Sequence, residues 1–255
     1  MILQAVEQGQ GEPLVLLHGL FGSLRNFGAM QRRLAEHRRV IALDLRNHGN
    51  SPHDPDMRYA TMAADVMATL QERSALPATL LGHSMGGKVA MLAALTAPDL
   101  VRRLIVADIA PVPYPPHHLE VANAMAALPL AAGITRAQAD AELANSVPDQ
   151  SMRGFLLQNL QTGAAPTWRI GLAEIIAAFP QISAWDAPPD ARYTSPTLFI
   201  AGATSNYIRA DYRPIIRGWF PAARFVTLKN AGHWLHADNP EGFLAVVEGF
   251  LTATA

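Results

Sequence analysis

The sequence predicts an α/β protein, a mostly parallel central sheet flanked by helices and interrupted once by a helical insertion. Three observations carry that expectation. Short apolar runs alternate with longer amphipathic stretches along most of the chain. The alternation stops between Pro111 and Pro189 and resumes at Thr197. The 255 residues, at roughly 150 per domain, suit one large domain or one domain with an insertion.

The apolar runs are Leu14–Leu17, Val40–Leu45, Thr79–Leu81, Leu104–Ala107, Thr197–Ala201 and Arg224–Leu228. Runs this short, with little alternation, read as strands covered on both faces. Phe27–Glu36 carries Phe27, Met30 and Leu34 at helical spacing, and Met62–Arg73 carries Met62, Val66 and Leu70. Lys88–Thr96 and Glu241–Leu251 read as helices too. Strands alternating with helices imply parallel pairing through right-handed crossovers. The run from Pro111 to Pro116 holds too much proline for a strand or helix interior. Ala-rich helical patterns follow at 119–131, 135–145, 151–161 and around 169–178. Residues 1–111 and 190–255 are therefore expected to form the core domain, with 112–189 inserted.

Composition narrows the function. Half the residues are hydrophobic and 16% are charged, so a sizeable core can be buried. The net charge of -1 leaves no basic excess for phosphates, which disfavours nucleic acid as a partner. With no cysteine there is no disulfide, thiolate zinc site, iron–sulfur cluster or Cys nucleophile. Met1–Gln10 lacks the pattern of a signal peptide, and the most apolar stretch, Val121–Ile134, is interrupted by Asn123, Pro129 and Gly133. The expectation is a cytoplasmic protein without a membrane span; the sequence leaves its oligomeric state open.

Chemistry is concentrated in Gly82-His83-Ser84-Met85-Gly86, a Gly-x-Ser-x-Gly pattern between a strand and a helix. A sharp strand-to-helix turn lifts a serine hydroxyl clear of the sheet, and the flanking glycines let the chain pass itself closely. At the helix N-terminus the Met85 amide faces any oxyanion formed at Ser84. A second donor is expected from the loop His18-Gly19-Leu20-Phe21-Gly22, from Leu20 first and Phe21 next. His18 itself reads as a loop brace. The base is expected after the last strand, in Lys229-Asn230-Ala231-Gly232-His233-Trp234, where an imidazole can take and return the serine proton. His236 competes with His233, but its His-x-x-His spacing lacks the carboxylate of a recognisable zinc motif. No metal or other cofactor is expected, because these groups suffice for acyl transfer.

These residues resemble the α/β-hydrolase superfamily over essentially the whole chain, most closely the bacterial YbfF-type esterases. The resemblance rests on His18–Ser23, Asp44-Leu45-Arg46-Asn47-His48-Gly49-Asn50-Ser51, Gly82–Lys88, Asp108-Ile109-Ala110-Pro111-Val112 and Gly232-His233-Trp234. It implies an α/β-hydrolase fold with residues 112–189 as a helical cap, and a serine hydrolase of carboxylic esters or acyl thioesters. Carbon–carbon bond hydrolases and lactonases share such a triad, and a non-catalytic receptor can share the fold. Most of the family places its acid after a later strand, where this chain has Ser205. Asp108, at the end of the preceding core strand, is the implied alternative, and Asp211 the runner-up.

For the small-molecule substrate, Phe21, Trp234, Ser205 and Met125 are the candidate pocket residues. The face carrying Met125 could equally pack on the core. His117 and His118 are expected to be solvated at the mouth of the cap. Arg46 and Lys88 read as surface or loop-bracing cations that could also attract an anionic leaving group. Asp44 and Asp238 read as loop-bracing carboxylates.

Overall fold

The computed structural model describes residues 1–254. The strands are β1 (Ala5–Gln8), β2 (Pro13–Leu17), β3 (Arg39–Leu43), β4 (Ala78–His83), β5 (Val101–Ala107), β6 (Leu160–Gln161), β7 (Thr167–Trp168), β8 (Thr197–Gly202) and β9 (Ala223–Leu228). Seven of them form one sheet in the order β1-β3-β2-β4-β5-β8-β9, parallel except for β1; β6 and β7 pair only with each other. All six expected strands are present. One differs in detail, since the Val40–Leu45 run leaves the sheet after Leu43, and the pattern missed a further strand, β1. That edge strand pairs antiparallel with β3 and is only half covered, so it lacks a continuous apolar run.

Residues on one face of the strands pack against α2 (Tyr59–Glu72) and α3 (Met85–Thr96). Those on the other pack against α1 (Gly28–Leu34) and α11 (Pro240–Ala253). Leu14–Leu17 are at most 1% exposed, and at about 1.5–3 kcal/mol per fully buried aliphatic side chain, such strands anchor the fold. The polar face of α11 is fixed at its start, where Asn239 caps the Gly242 amide at 3.0 Å and Pro240 occupies the first turn.

Between β5 and β8 lie α4 (Leu119–Ala127), α5 (Arg136–Leu143), α6 (Gln150–Leu156), α7 (Leu172–Ala177) and α8 (Phe179–Ser183). They are shorter than the Ala-rich patterns suggest: Pro129 follows the end of α4, and the expected 151–161 helix stops at Leu156 and gives its last two residues to β6. Thr135 and Gln138 close a capping box on α5, and Asp149 caps α6. The short α9 (Arg213–Trp219) follows Asp211, where a helix was expected, and α10 (Leu235–Asp238) was not anticipated. No described helix is long and apolar enough to cross a membrane.

The topology singles out one place. From β2 the chain steps to β3 on one side, then crosses to β4 on the other. In open α/β sheets the crevice beyond the carboxyl ends of the strands at such a reversal is where ligands bind. Here it brings together the loop after β2 and the turn after β4.

Candidate active site

Ser84 stands alone between β4 and α3, with φ 53° and ψ −120°. A non-glycine residue so far from the favoured regions costs on the order of 1–3 kcal/mol and persists only where its surroundings over-determine it. They do so here. The Ser84 amide donates to the Ala107 carbonyl at 3.0 Å, and its own carbonyl accepts from Gly87 at 2.8 Å. A Cβ on Gly82 would lie 2.1 Å from the Gly86 carbonyl oxygen, and one on Gly86 would lie 2.4 Å from that of Leu17. The turn therefore cannot form with side chains at either position.

The loop after β2 abuts this turn; a Cβ on Gly19 would lie 3.2 Å from the Ser84 Cβ. Two buried histidines hold the loop. His18 Nδ1–H donates to the Gly19 carbonyl at 2.8 Å, and its Nε2 accepts from the Leu45 amide at 3.0 Å. His48 Nδ1–H donates to the Arg46 carbonyl at 2.9 Å, and its Nε2 accepts from the Phe21 amide at 3.1 Å. Burial holds both rings neutral, pushing His18 down to about 4 and His48 to about 3. The Phe21 amide is thus spent. Among the described residues the Leu20 and Met85 amides have no acceptor, which leaves this pair available to an oxyanion.

His233 is carried on the loop after β9. Gly202, at the end of β8, makes room for it, since a Cβ there would lie 2.1 Å from the Gly232 carbonyl oxygen. Asp238 accepts from the Gly232 amide at 2.8 Å, and His83 Nε2–H donates to the His233 carbonyl at 2.7 Å. Tyr207 stacks on the His233 ring with centroids 4.1 Å apart. So fixed, the ring presents Nε2 to Ser84 Oγ at 3.1 Å and donates from Nδ1 to Asp108 Oδ2 at 2.8 Å.

Asp108 follows β5 directly, fully buried and at φ 52°. A buried carboxylate needs its lone pairs filled. Its Oδ1 accepts from the Gly202 amide at 3.0 Å, while the Ser205 hydroxyl joins His233 on Oδ2. Asp211 is exposed and paired with Arg209 at 2.6 Å. Asp44 receives the Leu24 and Asn50 amides, each at 2.8 Å, as a loop brace. The structure therefore brings Ser84, His233 and Asp108 into one hydrogen-bonded chain and leaves Asp211 outside it.

The space over Ser84 has two lobes. Phe21, Trp234, Met152, Phe155 and His236 line one, beside His233. Lys88, Tyr59, Tyr114 and Phe179 line the other. Leu20, Ser84 and His118 border both. Phe21 and Trp234 both border this space.

Two expected pocket residues do not. Met125 is completely buried in the main core, with its carbonyl accepting from the Trp168 indole at 3.1 Å, because α4 turns that face inward. Ser205 lines neither lobe, because its hydroxyl is turned onto Asp108. The two cations are not on the surface either. Arg46 is buried against Asp65 at 2.6 Å and braces its loop, and Lys88 is 2% exposed. His118 is half-buried rather than solvated, within 3.1 Å of the Tyr207 hydroxyl, and burial pushes it down to about 4. No three described His, Asp or Glu side chains are grouped to hold a metal ion.

A family model described as alpha/beta hydrolase fold matches residues 12–240. The chain belongs to the α/β-hydrolase family. It is 38% identical to Esterase YbfF of Escherichia coli (strain K12), over 97% of this chain and 96% of that one. It is 40% identical to the mouse protein named sn-1-specific diacylglycerol lipase ABHD11, over 93% of this chain and 80% of that one. A solved structure titled Marine microorganism esterase superposes with a TM-score of 0.95 at 34% identity, covering 98% and 99% of the two chains.

In this α/β hydrolase, sequence reasoning missed the groups that support the reacting side chains. His83 and Tyr207, against His233, and Gly202, against Asp108, carry no signature of their own. Met152 and Phe155 were readable only as helix residues.

Proposed function

We propose that the chain is a serine hydrolase of carboxylic esters, with Ser84 as nucleophile, His233 as general base and acid, and Asp108 as the carboxylate that orients the ring. The observation that carries this reading is the pair of contacts, 3.1 and 2.8 Å, linking a serine on a strained turn through one imidazole to a buried carboxylate.

Ser84 Oγ attacks the acyl carbon as its proton passes to His233 Nε2. Charge develops on the former carbonyl oxygen, and the Leu20 and Met85 amides receive it; such a donor is typically worth about 3–4 kcal/mol in the transition state. The tetrahedral species collapses, His233 returns the proton to the departing alkoxide, and the acyl group stays on Ser84. Water then repeats the sequence and releases the acid. Asp108 keeps the Nδ1–H tautomer in place and offsets the imidazolium charge. Acyl thioesters present the same acyl carbon and form a second substrate class. Residues 112–189 act as the cap; they supply Met152, Phe155 and His118 to the cleft.

The test is hydrolysis of p-nitrophenyl butyrate together with labelling by a fluorophosphonate probe. The wild-type protein should do both, and Ser84→Ala should lose labelling and about 10⁴-fold or more of the rate. Label on another residue, or a Ser84→Ala protein that keeps its rate, overturns the assignment. A wild-type protein that neither hydrolyses nor labels would be a receptor on this fold.

A further inference from the structure

Lys88 is the fourth residue of α3, one turn beyond Ser84 and on the same first turn of that helix. Burial and the helix N-terminus disfavour a cation there, and one carbonyl and the faces of two tyrosines are all that favour it. Lys88 is 2% exposed. A positive charge opposes the helix dipole at an N-terminus. Its Nζ makes one hydrogen bond, to the Ala184 carbonyl at 2.8 Å, and lies 5.2 and 5.0 Å from the ring centroids of Tyr59 and Tyr114. Among the described residues no carboxylate pairs with it, and burial alone pushes it down to about 7. A methionine would fill the same stem without the charge, so packing does not account for an ammonium here.

The direction of the reaction says what meets it. The leaving group must lie where His233 can protonate it, which assigns the lobe beside Trp234 and Phe155 to the alcohol. The acyl chain then turns the other way, into the lobe that Lys88 lines. We propose that this lobe takes acyl groups ending in a carboxylate, so that the substrates are half-esters of dicarboxylic acids, with Lys88 as the counter-ion. This rests on the hydrolase reading above. The two tyrosine rings and Phe179 give the intervening methylenes an apolar wall, and the carboxylate supplies the anionic partner that the ammonium, bonded only to the Ala184 carbonyl, lacks among the described residues.

The test is a pH-stat comparison of the monomethyl esters of succinic, glutaric and adipic acid with methyl butyrate and methyl hexanoate. For the wild-type protein at least one half-ester should have a kcat/KM about tenfold or more above its neutral counterpart, mainly through KM. In Lys88→Met the ratio of half-ester to neutral ester should fall by at least about tenfold. A ratio that moves less than about threefold overturns the proposal. Should Lys88→Met not fold, the wild-type protein decides alone. Glutarate or adipate must then inhibit p-nitrophenyl butyrate hydrolysis competitively and more strongly than butyrate does, and equal or weaker inhibition overturns the proposal. Hydrolysis of p-nitrophenyl butyrate without half-ester preference sinks this inference alone. Absence of any hydrolysis sinks the hydrolase reading beneath it.

Discussion

On the sheet side of the cleft, each group of the relay hangs from a backbone position that has no room to move. Ser84 and Asp108 sit at φ 53° and 52°, in the residues that directly follow β4 and β5. Gly82, Gly86 and Gly202 meet neighbouring carbonyls where any Cβ would collide. On the opposite side, the segment between Asp108 and β8 supplies walls: Met152 and Phe155 from α6, His118 just before α4, and Tyr114 and Phe179 in the second lobe. The hydrogen-bonded chain needs placement to a few tenths of an ångström, and a regular sheet supplies it. Walls that sort substrates tolerate looser placement and can be built from short helices.

Substitutions can break that contrast. The largest effect is expected on the sheet side at Asp108. Asp108→Asn should lower kcat by about 10⁴-fold while the circular dichroism spectrum stays native, because the ring loses its orienting charge and tautomer. Asp211→Asn should stay within about twofold. Finding the larger loss in Asp211→Asn would reverse the assignment of the acid.

Acid should act next, and again chiefly on the sheet side. His18 and His236 are held down to about 4, His48 to about 3, and His83 well below its ordinary value, all chiefly by burial in the loops around Ser84. In the unfolded chain each takes a proton near 6.5, so the unfolded state binds more protons as pH falls below that value. Stability present above about pH 6.5 should therefore drain away between 6.5 and 4, on the order of 3 kcal/mol for a histidine held near 4. Urea midpoints measured from pH 7.5 down to 4.5 check this, and an unchanged midpoint across that range would contradict it.

Ser205 gives a smaller test. Removing its hydroxyl from Asp108 deletes one charge-assisted hydrogen bond, so Ser205→Ala should slow kcat by about tenfold with KM little changed. A rise confined to KM would instead mean that the hydroxyl meets substrate. The smallest effect belongs to the opposite wall. Phe155 packs on Trp234 with centroids 5.7 Å apart. Phe155→Ala should raise KM for bulky alcohol groups about three- to tenfold and leave kcat for methyl esters nearly constant. A collapse of kcat there would show that the walls also hold the relay in place.

Much of the sheet side was legible in the chain. Doubly buried strands leave unbroken apolar runs, and a strand-to-helix turn this tight demands Gly82 and Gly86 around its serine. Where burial was partial the signal faded: β1 at the sheet edge left no run, and the Ala-rich helices after Pro111 ended earlier than their patterns. The acid shows the limit most clearly. Sequence order allowed both Asp108, the preferred acid, and Asp211, and only the approach of the β9 loop to the end of β5 brings one of them to the imidazole.

By itself, then, the sequence determined the alternation of elements, the serine turn and the histidine loop, because local sterics and hydrophobic periodicity act over a few residues. The tertiary structure decided which carboxylate meets the imidazole, that Ser205 serves that carboxylate, that Met125 turns inward, and that Lys88 is buried beside the nucleophile. Each of these depends on groups far apart in the chain, 97 residues between Ser205 and Asp108 and 96 between Lys88 and Ala184. No local pattern encodes such a meeting, because it is set by how the strand ends converge.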